Sequence, residues 1–449
     1  MKRLRYKKYA VVLFLICFSN SIEAKQWTLS ECIDYALANN ITLQRNLLQL
    51  KSTAEDIQQS QAALFPSLYA STSQNLTYRP WPESGRASVQ NGYVQSSVDK
   101  VYYNGSYGVN LNWTIWNGGA NVNNIKLNKL SNQQAQLESA ITANSIQEQI
   151  VQLYIQIIYS SEAIKVYKHN LESSLKNEER GKAMVENKLM SKADLSQLTS
   201  QRAQDEYAVV ESQSNLRGFK RQLKQLLQII DDDDLDIVVP EASDEMALRT
   251  IPNLNSVYYQ ALENRPEIKN AQLGIEESEI SIKISKAQRL PTLGFSANFG
   301  TNTTSMSDNA WGTQLKNNLA LGAGFTLSIP LFDNRQARTA INKAKIQKQN
   351  YILNLKEQQT ALYSTIENYW LQATNNQSKF IAAKVATESA QASYDMLKGK
   401  FDEGIINIVE MMSGRDNLLM AQQNELQSKF LAIFNIDMLN FYKDGILIK

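Results

Sequence analysis

The chain has 449 residues and a formal net charge of +2, with 46 basic and 44 acidic residues. This balance provides no basic surface of the kind that nucleic acid requires, so we expect no nucleic-acid partner. The sequence contains one histidine, His169, and two cysteines, Cys17 and Cys32. So few nitrogen and sulfur ligands exclude a zinc set, and they argue against a catalytic cysteine–histidine pair.

The N-terminus has the pattern of a signal peptide. A basic segment, 2–8, precedes the apolar run Tyr9–Phe18, and the small residue Ala24 ends a cleavage-site pattern. Because the apolar run is too short to span a bilayer as a helix, we expect residues 1–24 to be removed on export. A retained N-terminal membrane anchor is the alternative. Removal leaves Cys32 as the one cysteine, so we expect no intramolecular disulfide.

Helical patterns dominate the first half of the mature chain. Thr28 and Glu31 form a capping-box sequence that predicts a helix over about 28–65. A long helix is predicted over about 120–185, and at ~1.5 Å per residue it approaches 100 Å. A shorter helix follows over about 191–230.

Two strand patterns separate the first two of these helices. Over 106–116, apolar residues such as Val109 and Leu111 alternate with serine, glycine, asparagine and threonine. Residues 67–79 follow the same rule more weakly. Alternation places the apolar side chains on one face of a strand. Each segment has roughly the ~10 residues that a tilted strand needs to cross a bilayer.

The second half repeats this order. Residues 36–39 match 261–264 at an offset of 225, and 188–191 match 404–407 at an offset of 216. The difference falls in the strand-to-strand loops, where insertions cost little. The matching predicts a first repeat over 25–230, a linker over 231–253 and a second repeat over 254–449. Asp231–Asp234 lack the spacing and glycine turn of a calcium loop, so we interpret this run as a solvated linker.

The second repeat carries the clearest patterns of both kinds. Asn264-Arg265-Pro266 predicts a break followed by proline at a first helical position. The long helix has an apolar stripe at steps of three, four and seven residues, which is coiled-coil spacing. In each repeat, two short helices together match the long one in length and are expected to stack end to end against it. The predicted strands are 293–302 and 319–332, and the predicted helices are about 254–290, 335–401 and 407–442.

Four strands cannot close a barrel, and lipid tolerates no open sheet edge. Several chains must therefore share one barrel, and a shared barrel forms a pore. The helices are rich in polar residues outside their apolar stripes, which suits water on both sides. The fold class is therefore mainly α with a membrane β part.

We find no catalytic set in the sequence. His169 lies on a polar stretch of a long helix, where we expect it to be exposed. The fragment 322–324 imitates a phosphate loop, but it lies inside a strand with no helix start after it. The chain has no nucleotide-binding loop, so it cannot power transport itself. We expect no cofactor, no metal and no enzymatic activity. A barrel enzyme is an alternative that the missing nucleophile–base set disfavours.

Several motifs, in order and in duplicate, resemble the TolC-like outer-membrane efflux proteins of Gram-negative bacteria. The resemblance covers essentially the whole mature chain. The matching segments are 27–32, 36–40, 64–68, 115–119, 290–293 and 329–333.

The resemblance implies a homotrimer with a twelve-stranded barrel in outer-membrane lipid and a long α-helical barrel in the periplasm. It implies a passive exit duct for efflux or type I secretion. An inner-membrane pump of the RND or ABC type would supply the energy, and a periplasmic adaptor (membrane fusion) protein would join the two. A trimeric coiled-coil envelope scaffold without transport is the alternative function. The cargo cannot be inferred from the sequence.

The chain departs from the family pattern at two turns. Asn334 and Arg335 stand where the family often has two glycines, and Lys188 stands where a glycine usually opens the helical tip.

The two helical tips, about 186–191 and 402–407, are the candidate adaptor contacts. Exposed apolar side chains on short turns indicate contact with a partner, and inward packing that closes the hairpin is the alternative. The candidate contact residues are Lys188, Leu189, Met190, Ser191, Gly404, Ile405, Ile406 and Asn407.

Asp194 and Glu410 are equivalent across the repeat and form the candidate periplasmic gate. The resemblance places acidic residues just past the tips at the closed entrance, where three copies would form carboxylate rings that favour cations. A further acid three residues on is replaced by Ser413. The alternative is that both acids only cap helices, because each stands four positions into a capping-box pattern.

Overall fold

The computed structural model describes residues 26–81, 88–90, 93–95, 100–230, 235–239 and 243–445. The predicted signal peptide (1–24) and the acidic run Asp231–Asp234 lie outside the described residues. The described part is mainly helical and contains one sheet of long strands, which confirms the predicted fold class.

The first half contains four of the major helices and two of the long strands. In chain order its elements are β1 (Gln26–Trp27), α1 (Leu29–Asn39), α2 (Ile41–Ala62), β2 (Ser67–Tyr78), β3 (Ser88–Gln90), β4 (Tyr93–Gln95), β5 (Val101–Asn117), α3 (Ala120–Glu186) and α4 (Lys192–Leu227).

The second half has the same plan with two additional short helices. Its elements are β6 (Asp236–Ile237), α5 (Asp244–Ala247), α6 (Leu254–Asn264), α7 (Pro266–Ala287), β7 (Thr292–Thr304), α8 (Trp311–Asn317), β8 (Ala320–Ser328), α9 (Gln336–Asp402) and α10 (Ile408–Asp444). None of the described helices combines the length and the apolar character that crossing a bilayer requires.

Corresponding helices of the two halves have matching bounds. The long helices α3 and α9 contain 67 residues each, and they begin at Ala120 and Gln336, 216 positions apart. At ~1.5 Å per residue each is about 100 Å long. The short helices α1 and α6 contain 11 residues each and begin 225 positions apart. The two offsets are those at which the sequences of the halves match.

A break at Asn40 divides the helix that the sequence predicts as continuous over 28–65. Asn40 has an extended backbone, and its side-chain oxygen accepts hydrogen bonds from Thr42 N at 2.9 Å and Leu43 N at 3.3 Å. It therefore ends α1 and caps α2, because asparagine is among the strongest N-cap residues. The equivalent break between α6 and α7 lies at Arg265, next to Pro266 as predicted.

The four long strands form one antiparallel sheet in the order β2-β5-β7-β8. The pairing of β5 with β7 joins the two halves in the middle of the sheet. Strands β2 and β8 are at its edges, and no other described strand pairs with their outer sides.

The strands differ from the predicted ones in their bounds and in their register. Strand β5 begins at Val101, before the predicted 106–116 segment, and β8 covers only part of 319–332 because Pro330 cannot donate to a ladder. The register between β5 and β7 shifts between Thr114 and Trp116. This bulge makes Ile115 the extra residue, so Ile115 does not continue the apolar row as strict alternation predicts.

The core lies where the short helices pack on the long ones. Cys32 is buried there with no exposed surface, which confirms it as a small buried hydrophobic residue, and His169 is exposed on α3. The described part of the predicted linker packs against the helices, where Ala247 is buried with Phe380 and Ile433. Strand β6 pairs with β1 in parallel, and Asp244 of α5 forms ion pairs with Lys384 at 2.7 Å and Lys429 at 2.8 Å.

Candidate functional site: a two-faced sheet and two helical tips

One face of the sheet is apolar across all four strands. The register aligns Leu68, Leu111, Ala297 and Ala323 in one row. Neighbouring rows contain Val109, Phe299 and Leu321, and Trp113, Phe295 and Phe325.

These apolar side chains are exposed in the single chain. The exposed fraction is 77% for Leu321 and 71% for Phe325, and the rings of Phe325 and Phe295 lie 4.9 Å apart. A contiguous exposed apolar surface of this kind requires a partner or lipid. Its alternation with a polar face is the pattern of lipid-facing barrel strands.

The opposite face of the sheet contains small and polar residues. Ser73 and Ser106 share a hydrogen bond of 2.7 Å across β2 and β5, and Asn110 donates to Ser71 at 3.4 Å. Glycines occupy this face in β8, where Gly322 is level with Asn298. Such a face suits a water-filled interior.

The first helical tip turns through a left-handed lysine. Lys188 has φ of 58°, and the N–H of Leu189 donates to the carbonyl of Met184 at 2.8 Å. This bond closes the end of α3 in the manner of a Schellman turn. Ser191 then caps α4, since its hydroxyl oxygen accepts from Asp194 N at 3.1 Å.

The second tip has the same geometry with glycine at the turn. Gly404 has φ of 74°, and the N–H of Ile405 donates to Lys400 O at 2.9 Å. Asn407 caps α10, since its side-chain oxygen accepts from Glu410 N at 3.0 Å.

The apolar tip residues divide into an exposed and a packed member at each tip. Leu189 is 72% exposed and Ile405 65%. Met190 and Ile406 instead pack against a cluster near the tips that includes Tyr394, Leu198 and Met411. Inward packing therefore describes Met190 and Ile406, whereas Leu189 and Ile405 remain open to solvent in the single chain.

Both candidate gate acids take part in helix capping. The Asp194 carboxylate accepts from the Ser191 hydroxyl at 2.7 Å, and the Glu410 carboxylate accepts from the Asn407 side-chain nitrogen at 3.2 Å. Glu410 is exposed and lines a groove between α9 and α10 that also includes Ser413. In a single chain the two carboxylates therefore stabilise helix starts.

The sequence of this chain matches a known protein family over most of its length. The sequence profile of the family described as "Outer membrane efflux protein" matches residues 32–227 and 257–430. The chain belongs to the outer membrane efflux protein family. The resemblance stated from the motifs is confirmed, and the two matched segments fall one in each half. A search among curated protein sequences finds no match.

Solved structures of outer-membrane channels share the fold of this efflux protein. The CmeC outer membrane channel of Campylobacter jejuni superimposes with a TM-score of 0.78 at 17% identity, covering 93% of this chain and 86% of CmeC. VceC of Vibrio cholerae gives 0.75 at 16% identity, covering 92% and 95%. CusC, whose structures concern transmembrane channel formation, gives 0.78 at 14% identity, covering 92% and 91%.

The efflux protein also has contacts between its two hairpins that the sequence did not reveal. Here the first hairpin is α3 with α4, and the second is α9 with α10. Arg180 of α3 pairs with Asp402 at the end of α9. Farther from the tips along the helices, Asp205 of α4 and Arg415 of α10 form a buried ion pair with an N–O distance of 2.5 Å. These partners lie more than 200 positions apart, so no local sequence pattern links them.

The position equivalent to Arg415 in the first hairpin has a different role. It is Thr199, whose hydroxyl donates to Glu178 at 3.2 Å. The hydrogen bond from Lys182 is the main cause that holds the pKa of Glu178 below its ordinary value. The hydrogen bond from Thr199 and the positive charge of Arg202 add to the effect. The two hairpins therefore share a backbone plan but not their charge network.

Proposed function

We propose that this protein is the trimeric outer-membrane exit duct of a tripartite efflux or type I secretion system. The observation that carries the proposal is the two-faced sheet with two open edges. Its apolar face suits lipid, its polar face suits a wet lumen, and its edges need further strands.

The strand order supports closure by copies of the same chain. The four strands alternate in direction from β2 to β8, so β8 of one copy runs antiparallel to β2 of the next. A ring of copies therefore keeps one continuous antiparallel ladder without an edge. Three copies supply twelve strands, and barrels of even strand number with a polar interior occur in outer membranes.

The duct is passive in this proposal. The sequence has no nucleotide-binding loop, so a pump in the inner membrane would supply the energy, and a periplasmic adaptor protein would join pump and duct. Leu189 and Ile405 are the proposed adaptor contacts, because they are exposed apolar side chains on the turns at one end of the longest helices.

Channel recording and mass measurement test the proposal together. Purified protein in a planar bilayer should give discrete conductance steps, and native mass spectrometry in detergent should give a trimer. A trimer without conductance would favour the coiled-coil scaffold, whereas a monomer would contradict the shared barrel.

The tip contact is tested by a charge at an exposed position. Ile405→Glu should abolish cross-linking to the cognate adaptor in cells, because a desolvated carboxylate opposes an apolar contact. Ile405→Val keeps the apolar surface and is the control. Cross-linking of Ile405→Glu at the control level would exclude this tip as the contact.

We further propose that Glu410, and with it Asp194, narrows the periplasmic entrance as a ring of carboxylates. Glu410→Gln removes the charge and can still accept at the capping position, whereas Glu410→Ala removes both. Reversal potentials under a salt gradient should show reduced cation preference in both variants. If Glu410→Gln retains the selectivity and Glu410→Ala loses only stability, the acid is a cap and not a filter.

A further inference from the structure

Helix α8 lies beside the last residues of β7, which extend beyond the part of β7 that pairs with β8. Strand β7 continues to Thr304, but its last pair with β8 is Gly300 with Ala320. The Gln314 side chain accepts from Thr304 N at 2.8 Å and donates to Thr304 O at 3.1 Å. A side-chain amide thus takes the place of a neighbouring strand at Thr304, whose N–H and C=O are both satisfied without one.

The same helix lies on the apolar side of the sheet. The hydroxyl of Thr301 donates to Leu315 O of α8 at 2.8 Å. The ring of Trp311 meets Tyr107 edge to face, with centroids 6.1 Å apart. Thr301 and Tyr107 are level with each other, and both point to the face that carries Phe299 two positions along. Helix α8 therefore does not cover the polar face.

The position of α8 along the strands is also defined. Helix α8 lies at the Thr304 end of β7. At the other end of the sheet, Thr292 pairs with Asn117, and β5 passes there into the long helix α3. If the long helices are periplasmic, α8 is at the outer end of the barrel. Trp311 remains 52% exposed there, directly beyond the apolar row that contains Phe299 and Leu321.

We propose that α8 anchors the barrel to the outer leaflet, with Trp311 in the headgroup region of the lipid. The occupant of this surface is lipid because the surface continues the apolar face of the sheet and stands at its outer limit. Tryptophan is enriched at membrane interfaces, where its ring is apolar and its N–H meets polar groups. The inference rests on the proposed outer-membrane barrel.

Spin labelling of the trimer in phosphatidylethanolamine and phosphatidylglycerol vesicles tests the anchor. Gly312 is next to Trp311, and an added Cβ meets no described atom within 4 Å. The native Cys32 is fully buried, so Gly312→Cys directs the label. The label at 312 should have a ratio of oxygen to nickel-chelate accessibility at least threefold above that of a Lys188→Cys label at the tip.

A label at Leu321→Cys separates a failure of the proposed anchor from a failure of the proposed barrel. It should give the highest ratio, since Leu321 belongs to the proposed lipid-facing rows. A high ratio at 321 with a tip-like ratio at 312 overturns the anchor and leaves the barrel intact. A tip-like ratio at 321 overturns the barrel itself, and the anchor with it.

Discussion

The two halves of the chain leave the sheet through the same turn but with different residues. The first half has Gly118 and Gly119, with φ of 67° and 79°, whereas the second has Asn334 and Arg335, with φ of 51° and 68°. All four residues adopt the left-handed conformation. The turn is therefore imposed by the fold, and the departure from a glycine pair changes its energetics but not its geometry.

The helical tips show the opposite distribution. The first tip has Lys188 and the second has Gly404 at equivalent left-handed positions. A non-glycine residue in this region costs roughly 1–2 kcal/mol. A side chain at a left-handed position also needs free space. Gly118, at the turn that leaves the sheet, lacks it, because a Cβ there would lie 2.8 Å from the carbonyl oxygen of Ala287. Exchanging residues between equivalent positions can separate these two contributions.

The largest loss of stability is expected at a position where the two hairpins have different residues. Arg415→Thr introduces the residue of the first hairpin, Thr199, and leaves the Asp205 carboxylate buried without its partner. Breaking a buried ion pair from one side costs about 3–5 kcal/mol of the free energy of unfolding. Chemical unfolding of the purified protein in detergent measures this cost.

The matched control removes the charge on the other side. The position equivalent to Asp205 in the second hairpin is Ala421, so Asp205→Ala combined with Arg415→Thr gives the counterpart residue at both sites. The double variant should regain most of the lost stability, since no buried charge remains unpaired. Additive losses would show that the pair is not coupled.

A smaller loss is expected from Gly118→Asn, which copies Asn334. Asparagine tolerates the left-handed conformation, so the cost comes mainly from the contact with Ala287. Overpacking of this kind costs about 2 kcal/mol. Gly119→Asn places the same residue at a left-handed site where a Cβ meets only the flexible end of Asn123 at 3.9 Å, so it should lose less stability. Equal losses for the two variants in a melting experiment would contradict the role of space.

The tip exchange should change stability in both directions. Lys188→Gly relieves a left-handed lysine and should stabilise the fold by about 1 kcal/mol, after the entropy of glycine is subtracted. Gly404→Lys should destabilise by a similar amount, because its site is open and only the conformation matters. If both variants destabilise, Lys188 makes a contact that outweighs its strain.

The smallest effect is expected for the caps. Ser191→Asn and Asn407→Ser exchange two residues of equal capping strength, so each should change the free energy of unfolding by less than ~0.5 kcal/mol. Replacement of either by alanine should cost about 1 kcal/mol, as measured by chemical unfolding. A large loss on exchange would reveal a contact specific to one tip.

Local sequence patterns predict the features whose cause is local. Alternation along the strands, the coiled-coil stripe and the capping boxes all depend on residues within a few positions, and the structure shows them where the patterns lie. Family motifs add the channel class. The break at Asn40 was also readable, since an asparagine before Ile41 is an N-cap signal, but the helical periodicity on both sides obscured it.

Other features depend on distant residues and could not be predicted. The Asp205–Arg415 pair, the β1–β6 pairing and the contact of Gln314 with the edge of β7 each require the fold to be known first. Helix α8 has only seven residues and no capping hydrogen bond, so its sequence carries almost no helical signal.

The unequal length of the strands gives the end of the sheet that is remote from the long helices a slope. Strand β5 reaches Val101, whereas the top of β8, Ala320, is level with Gly108 through Gly300. At ~3.4 Å per residue along a strand, this is a step of roughly 24 Å. In the proposed ring of three such sheets, the strand ladder would rise to three crests, and helix α8 of each copy would lie beside β7 in the lower stretches between them. Anything that approaches the mouth from outside would meet the three β2–β5 crests before it met the pore.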